Sequence, residues 1–271
     1  MKVANKKNII IILASFAVLL FLYLTFFNFN LLSNKGNQNE ILLSEQLRNE
    51  VNEELKSFKM KKILKHRDLI LRKENFTQVS NYQKYVTPNN PIVKNYISTI
   101  GIDTLIKAYE TAVGWIWVSD QTLHNVPEKW LLPAEFIENA PTNPNNPLPT
   151  KMVSDCESQA YTLVSIIESL NTSKENVRVV IGEVNFSGEL GGHAWVQIYQ
   201  EGEWIELEAT SGPFWDDDDQ TLVENRGFSF NFFKNHPYPI VEYWAFFNDI
   251  YFYNPNNGKE SQNLPNYWRT N

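Results

Sequence analysis

The alternation of apolar and polar positions is most informative between Ser154 and Thr210. Ala160, Leu163, Val164, Ile167 and Leu170 recur at helical intervals and predict a helix with one buried stripe, opened by Ser154 and Glu157 at capping-box spacing. Beyond it the period changes to two. His193, Trp195, Gln197 and Tyr199 alternate with Ala194, Val196 and Ile198; after Glu201-Gly202, Trp204, Glu206 and Glu208 alternate with Ile205 and Leu207. That pattern predicts a β-hairpin with a two-residue turn. The turn sets Gln200 opposite Glu203 and Trp195 opposite Glu208, and leaves His193 one diagonal step from the carboxylate on the same face. A slip of one residue would send the carboxylate to the other face.

The flanking segments extend the picture. Ile92 to Ile100 and Thr104 to Trp117 read as two helices, with Val93, Tyr96, Ile97 and Ile100, then Leu105, Ala108, Tyr109 and Ala112, on their apolar faces. Ala140 to Thr150 carries four prolines and three asparagines, so it is a loop that either shapes a groove or simply connects. Val177 to Ile181 is a β-branched run suited to a core strand, and Asn185 to Gly192 a polar link into His193. Phe228 to Phe233 and Ile240 to Tyr253 are aromatic-rich and predict further strands, whereas Pro255 to Asn271 is polar and reads as peripheral. The fold class these elements define is α+β, a helical part followed by an antiparallel sheet.

Before this region the pattern differs. Ile9 to Phe27 is nineteen residues without a charge, long enough to cross a bilayer, and no small-x-small cleavage site follows it. It predicts an uncleaved membrane anchor. Lys2, Lys6 and Lys7 before it, against Lys35 after it, place the N-terminus in the cytoplasm and the remainder outside. Residues 33–87 follow as a tether and an amphipathic stalk, in which Leu43, Leu47, Val51, Leu55 and Phe58 recur every three to four positions. Three roles are open to residues 41–72: a stalk, a surface for self-association, or a helix lying on its own domain. The turn cluster Pro88-Asn89-Asn90-Pro91 opens the compact domain, so the chain divides into 1–32, 33–87 and 88–271.

Composition narrows the choice of function. At 43% apolar and 14% aromatic residues, the 271-residue chain can bury a substantial core. A net charge of −7 argues against nucleic-acid binding, which needs clustered Lys and Arg. The single cysteine excludes an internal disulfide. His66, His124, His193 and His236 share no zinc-ligand spacing, and no cofactor or metal is expected. Asp216 to Asp219 lack the spaced oxygen ligands and glycine of a calcium loop and read as a solvated turn.

The candidate chemistry lies in three residues. Cys156 falls in the first helical turn, where free backbone N–H groups and the helix dipole favour the thiolate. With His193 as general base and acid, and Glu208 fixing its tautomer, it forms a nucleophilic triad. Glu206 is the alternate acid, one pair nearer the turn. The plainer reading is a core cysteine and a structural histidine.

Several residues in this region resemble a known family. Asp155-Cys156-Glu157, Ala160, Gly192-His193-Ala194-Trp195-Val196 and Trp204 to Thr210 are similar in order and spacing to the transglutaminase-like superfamily, and Trp130-Leu131-Leu132-Pro133-Ala134-Glu135 resembles the Trp-x-x-Pro-x-Glu of its microbial members. The resemblance spans roughly Pro91 to Asn254. Ser154 stands where the family usually has Gly, and Glu208-Ala209-Thr210 where it has Asp-Pro-Thr. It implies a papain-like fold, a Cys156 thioester, and a peptide or glutamine amide as acyl donor, with water or an amine as acceptor. It further implies an aromatic or polar oxyanion helper upstream of the cysteine, a role for which Trp115 and Trp117 stand against simple packing. The alternative is a non-catalytic binding or scaffold module at the cell surface.

Overall fold

The computed structural model describes residues 81–170, 172–186, 188–230 and 236–270. The expected anchor at 9–27 and stalk at 41–72 lie outside them, and no described helix is long and apolar enough to cross a membrane. The first described α-helix, α1 (Pro91–Ile100), starts where the Asn90 side chain accepts the Ile92 N–H at 2.8 Å and ends at Gly101, whose φ of 71° suits glycine. Helix α2 (Leu105–Val113) is capped by Thr104.

Helix α2 stops at Val113, not Trp117. Gly114 interrupts it, and Trp115, Ile116 and Trp117 are all buried, which a one-sided amphipathic helix cannot provide. Instead Ile116–Trp117 form β1, paired in parallel with β2 (Val153–Ser154) and, beyond two short helices α3 (Asp120–His124) and α4 (Pro133–Asn139), with β6 (Phe214–Asp216). A continuous apolar run is the mark of a strand covered on both faces. Strand β7 (Thr221–Val223) completes this small sheet. The proline-rich segment opens with a 3₁₀ turn at Ala140–Thr142 and then runs as turns and bends, its Asn143 and Asn145 side chains donating to the Leu123 carbonyl.

The main sheet has the order β10-β9-β8-β3-β4-β5, antiparallel throughout. Its members are β3 (Val177–Phe186), β4 (Glu189–Gln200), β5 (Glu203–Leu207), β8 (Ile240–Phe247), β9 (Phe252–Asn254) and β10 (Lys259–Glu260). The predicted register holds: Gln200 pairs with Glu203 and Val196 with Leu207, around a turn with Glu201 at φ 53° and Gly202 at φ 91°. The link after β3 is shorter than expected. Pairing continues to Asn185–Leu190 and Phe186–Glu189, so Gly191 and Gly192 are strand residues. Phe228 to Phe230 form no strand, and the rest of that run lies outside the described residues.

Helix α5 (Cys156–Ser169) packs on one face of the sheet, where Ala160, Leu163, Val164 and Ile167 meet a core that includes Val179, Ile181, Ala194 and Val196. The other face is covered in part by the C-terminal segment. There the peripheral reading fails: Trp268 is fully buried, and its indole donates to the Glu175 carbonyl. One large aromatic ring repays the ordering of an otherwise polar tail.

Candidate active site

Asp155, not Ser154, caps helix α5. Its carboxylate accepts the Cys156 N–H, while Ser154 belongs to β2. The carboxylate is itself tethered, because Trp117 donates its indole N–H to Asp155 Oδ1 at 2.9 Å. Cys156 is therefore the first helical residue, and it is 1% exposed. Neither upstream tryptophan offers a free donor for an oxyanion. An indole has one N–H; that of Trp117 is held by Asp155 and that of Trp115 by the Tyr96 hydroxyl at 3.1 Å.

On the hairpin the two predicted partners meet. His193 Nε2 lies 2.6 Å from Glu208 Oε2, with both side chains buried. The other carboxylate oxygen, Oε1, accepts the Thr210 N–H at 2.9 Å and the Thr210 hydroxyl at 2.6 Å, so the chain just beyond β5 folds back to fix its own glutamate. Burial alone would push the Glu208 pKa up, but the His193 ring, with His236, holds it well below the usual carboxylate range. An ionised carboxylate accepts, so His193 donates through Nε2 and leaves Nδ1 as the basic atom. That Nδ1 is buried and has no hydrogen-bond partner.

Glu206 is used differently. Its carboxylate accepts from the Trp195 indole and the Gln197 amide, and desolvation raises its pKa. It braces Trp195, whose ring stacks on His193 with centroids 5.8 Å apart.

His193 alternates with Ala194, so it belongs to the sheet face of Trp195, opposite the face on which α5 packs. Tyr238 stands beside the pair, its ring edge-on to His193 at 5.7 Å; burial, with the charges of Glu208 and Cys156 adding to it, pushes its hydroxyl pKa up. A cleft of about 590 Å³ beside this centre is lined by Glu206, His236, Tyr238 and Tyr243; a second, of about 500 Å³, is lined by His124, Lys129, Asn143 and Val153.

Sequence reasoning missed His236. Its Nε2 lies 3.2 Å from the same Glu208 oxygen, and its side chain is equally buried. The rigid His236-Pro237-Tyr238-Pro239 string was a signal of a fixed turn, though not of what the turn delivers. Among the aspartates, Asp217 turns inward to accept from the Ser119 and Thr122 hydroxyls, while Asp218 and Asp219 stay exposed.

No family model and no curated protein matches the chain. Among solved structures it is similar to Legionella pneumophila LapG, at 15% identity over 65% of this chain and 80% of that one (TM-score 0.40), and to the calcium-bound form of LapG, at 15% identity over 65% and 83% (TM-score 0.38). A candidate cysteine protease from Cytophaga hutchinsonii is 16% identical over 59% of this chain and 49% of that one (TM-score 0.33). Such scores describe a likeness of mixed helix-and-sheet shape; the functional argument rests on the residues.

Proposed function

We propose that this chain is a cysteine peptidase or amidase of the transglutaminase-like kind, held at a membrane by residues 9–27, with Cys156 as nucleophile, His193 as base and acid, and Glu208 as the group that orients the ring. The observation that carries the proposal is the buried His193–Glu208 pair, which spends Nε2 at 2.6 Å and leaves Nδ1 with no partner.

The chemistry follows from that tautomer. The Cys156 thiol gives its proton to Nδ1 and its sulfur attacks the acyl carbon of a peptide or glutamine amide. Collapse of the tetrahedral intermediate breaks the C–N bond, and the amine leaves with the proton returned by the imidazolium. Water or a second amine then attacks the thioester by the same relay in reverse, regenerating the thiol. Glu208 stays ionised throughout and stabilises the imidazolium. Substrate binding has to uncover the sulfur and displace Asp155 from the Cys156 N–H, which then serves the developing oxyanion.

The 1% exposure of Cys156 and the face from which His193 projects favour a second reading, a binding module that has kept the fold. Alkylation of the single thiol as a function of pH separates the two. An enzyme gives a rate that reaches its plateau well below about pH 8 and loses that plateau in His193→Ala; a walled-off thiol hardly reacts at any pH and rejects the proposal. Mass spectrometry after incubation with a peptide library then reads the acceptor: new termini for water, glutamine–amine conjugates for an amine.

A further inference from the structure

His193, Glu208 and His236 each present one ligand atom, and the three atoms lie within 4.8 Å of one another. Two imidazoles and a carboxylate are a donor set suited to zinc and its neighbours in the first transition row. Three details make this a built site. First, His236 Nδ1 is held by the Tyr238 backbone, 2.9 Å from its carbonyl oxygen and 3.3 Å from its nitrogen, which fixes the ring. Metal-binding histidines usually anchor their second nitrogen in this way. Second, the ring so fixed aims Nε2 at Glu208 Oε2, 3.2 Å away, where this buried nitrogen makes no aligned hydrogen bond. Third, the Thr210 donors hold Oε1, which leaves Oε2 as a single directed ligand.

We infer that His193, Glu208 and His236 form a binding site for a divalent transition metal of the zinc class, entered from the cleft that His236 lines, and that occupancy switches the proposed enzyme off. Binding itself is independent of the catalytic reading; inhibition rests on it. To take the metal, the 2.6 Å His193–Glu208 contact has to open by about 0.7–1 Å, since two metal–ligand bonds of about 2.0–2.2 Å at a tetrahedral angle hold their ligand atoms about 3.3–3.6 Å apart. His193 Nε2 must then give up its proton, which moves through water to Nδ1. The ring stays neutral, and the nitrogen that was to accept the Cys156 proton is already occupied.

The test uses the full chain and zinc chloride alone. Equilibrium dialysis of metal-free protein is expected to give one zinc per chain, retained in Cys156→Ala and weakened more than about 100-fold in His236→Gln, beyond the loss that follows removal of an outer-shell partner. Cobalt(II) in the wild-type chain provides a readout that needs no variant to fold: d–d absorption of a low-coordinate site without the near-ultraviolet charge-transfer band of a thiolate. Absence of zinc uptake, uptake unchanged in His236→Gln, loss of uptake in Cys156→Ala, or a cobalt–thiolate band would each overturn the assignment. Zinc bound as expected by a protein whose thiol proves inert would leave the site standing and remove the enzyme. Turnover by a protein that binds no zinc would do the reverse.

Discussion

Glu208 grips His193 from the far side of the ring, Oε2 to Nε2 at 2.6 Å, and is itself immobilised by Thr210. The pair is fully desolvated, so the hydrogen bond determines which ring nitrogen is basic. Glu208→Gln keeps the shape and removes the charge, and its amide can present a donor to Nε2, which turns the ring to the opposite tautomer. Turnover and the alkylation plateau of Cys156 should both drop, by about 10²–10⁴-fold, with the fold unchanged by circular dichroism. An effect below tenfold would remove Glu208 from the proposed mechanism.

Glu168 gives a pH dependence of the opposite sign to the usual acid. It is buried in the last turn of α5, and desolvation, with Asp249 adding to it, raises its pKa from 4.5 to about 9. Lys174 stands 3.9 Å away but is in direct contact with Asp249, so its help to Glu168 is small. The native state keeps this proton to about pH 9, whereas the unfolded chain releases it near 4.5. Stability from this group is therefore fully present below the unfolded value and is lost as pH rises toward about 9. Urea midpoints should fall between about pH 5 and pH 9 in the wild type and fall less in Glu168→Gln, which mimics the protonated acid. Equal slopes in the two proteins would mean that Glu168 is ionised when folded.

Arg178 anchors the C-terminal segment. The guanidinium lies between the rings of Trp204 and Phe246, at 3.7 and 3.8 Å, and donates to Gln197 Oε1 and to the carbonyls of Trp268 and Thr270. Arg178→Ala strands two buried acceptors and a part-buried one and empties the sandwich, at an expected cost of about 3–5 kcal/mol in chemical denaturation. Arg178→Lys should recover only part of it, because an ammonium cannot reproduce the planar fork. Limited proteolysis should cut first within residues 255–270 in both variants.

How far the sequence disclosed all this depends on the range of each interaction. The α5 stripe and the hairpin register were legible because parity and a two-residue turn are local, and together they bring Glu208 to His193 without knowledge of the rest. Strand β1 was misread as helix because Gly114 ends α2 within an apolar run that either period can fit. Trp268 and His236 were missed for another reason. Each is a single informative residue in an aperiodic segment, and its partner, Arg178 or Glu208, is chosen only when the sheet is assembled. The cap passed from Ser154 to Asp155 because β2 claims Ser154 for pairing with Trp117.

Gly212 connects the site to the helical half of the domain. A Cβ there would lie 1.8 Å from the Val113 carbonyl oxygen and 2.9 Å from its carbon, both backbone atoms that no rotamer change can clear. The approach is this close because the chain leaving Glu208 has to turn beneath the end of α2, where Tyr109 also reaches the Glu208 carbonyl at 3.4 Å. Gly212→Ala should therefore push residues 208–212 as a unit, costing about 1–3 kcal/mol in stability as an overpacking change and, separately, drawing Glu208 away from His193. Turnover should fall more than that stability loss explains at a temperature where the variant remains folded, and the alkylation plateau should fall with it. Gly202→Ala is the control: nothing lies within 4 Å of its Cβ, though its φ of 91° adds local strain, so it should lower stability without moving the pH profile of the thiol. If Gly212→Ala behaved like this control, the tight passage under Val113 would be a packing feature with no hold on the His193–Glu208 pair.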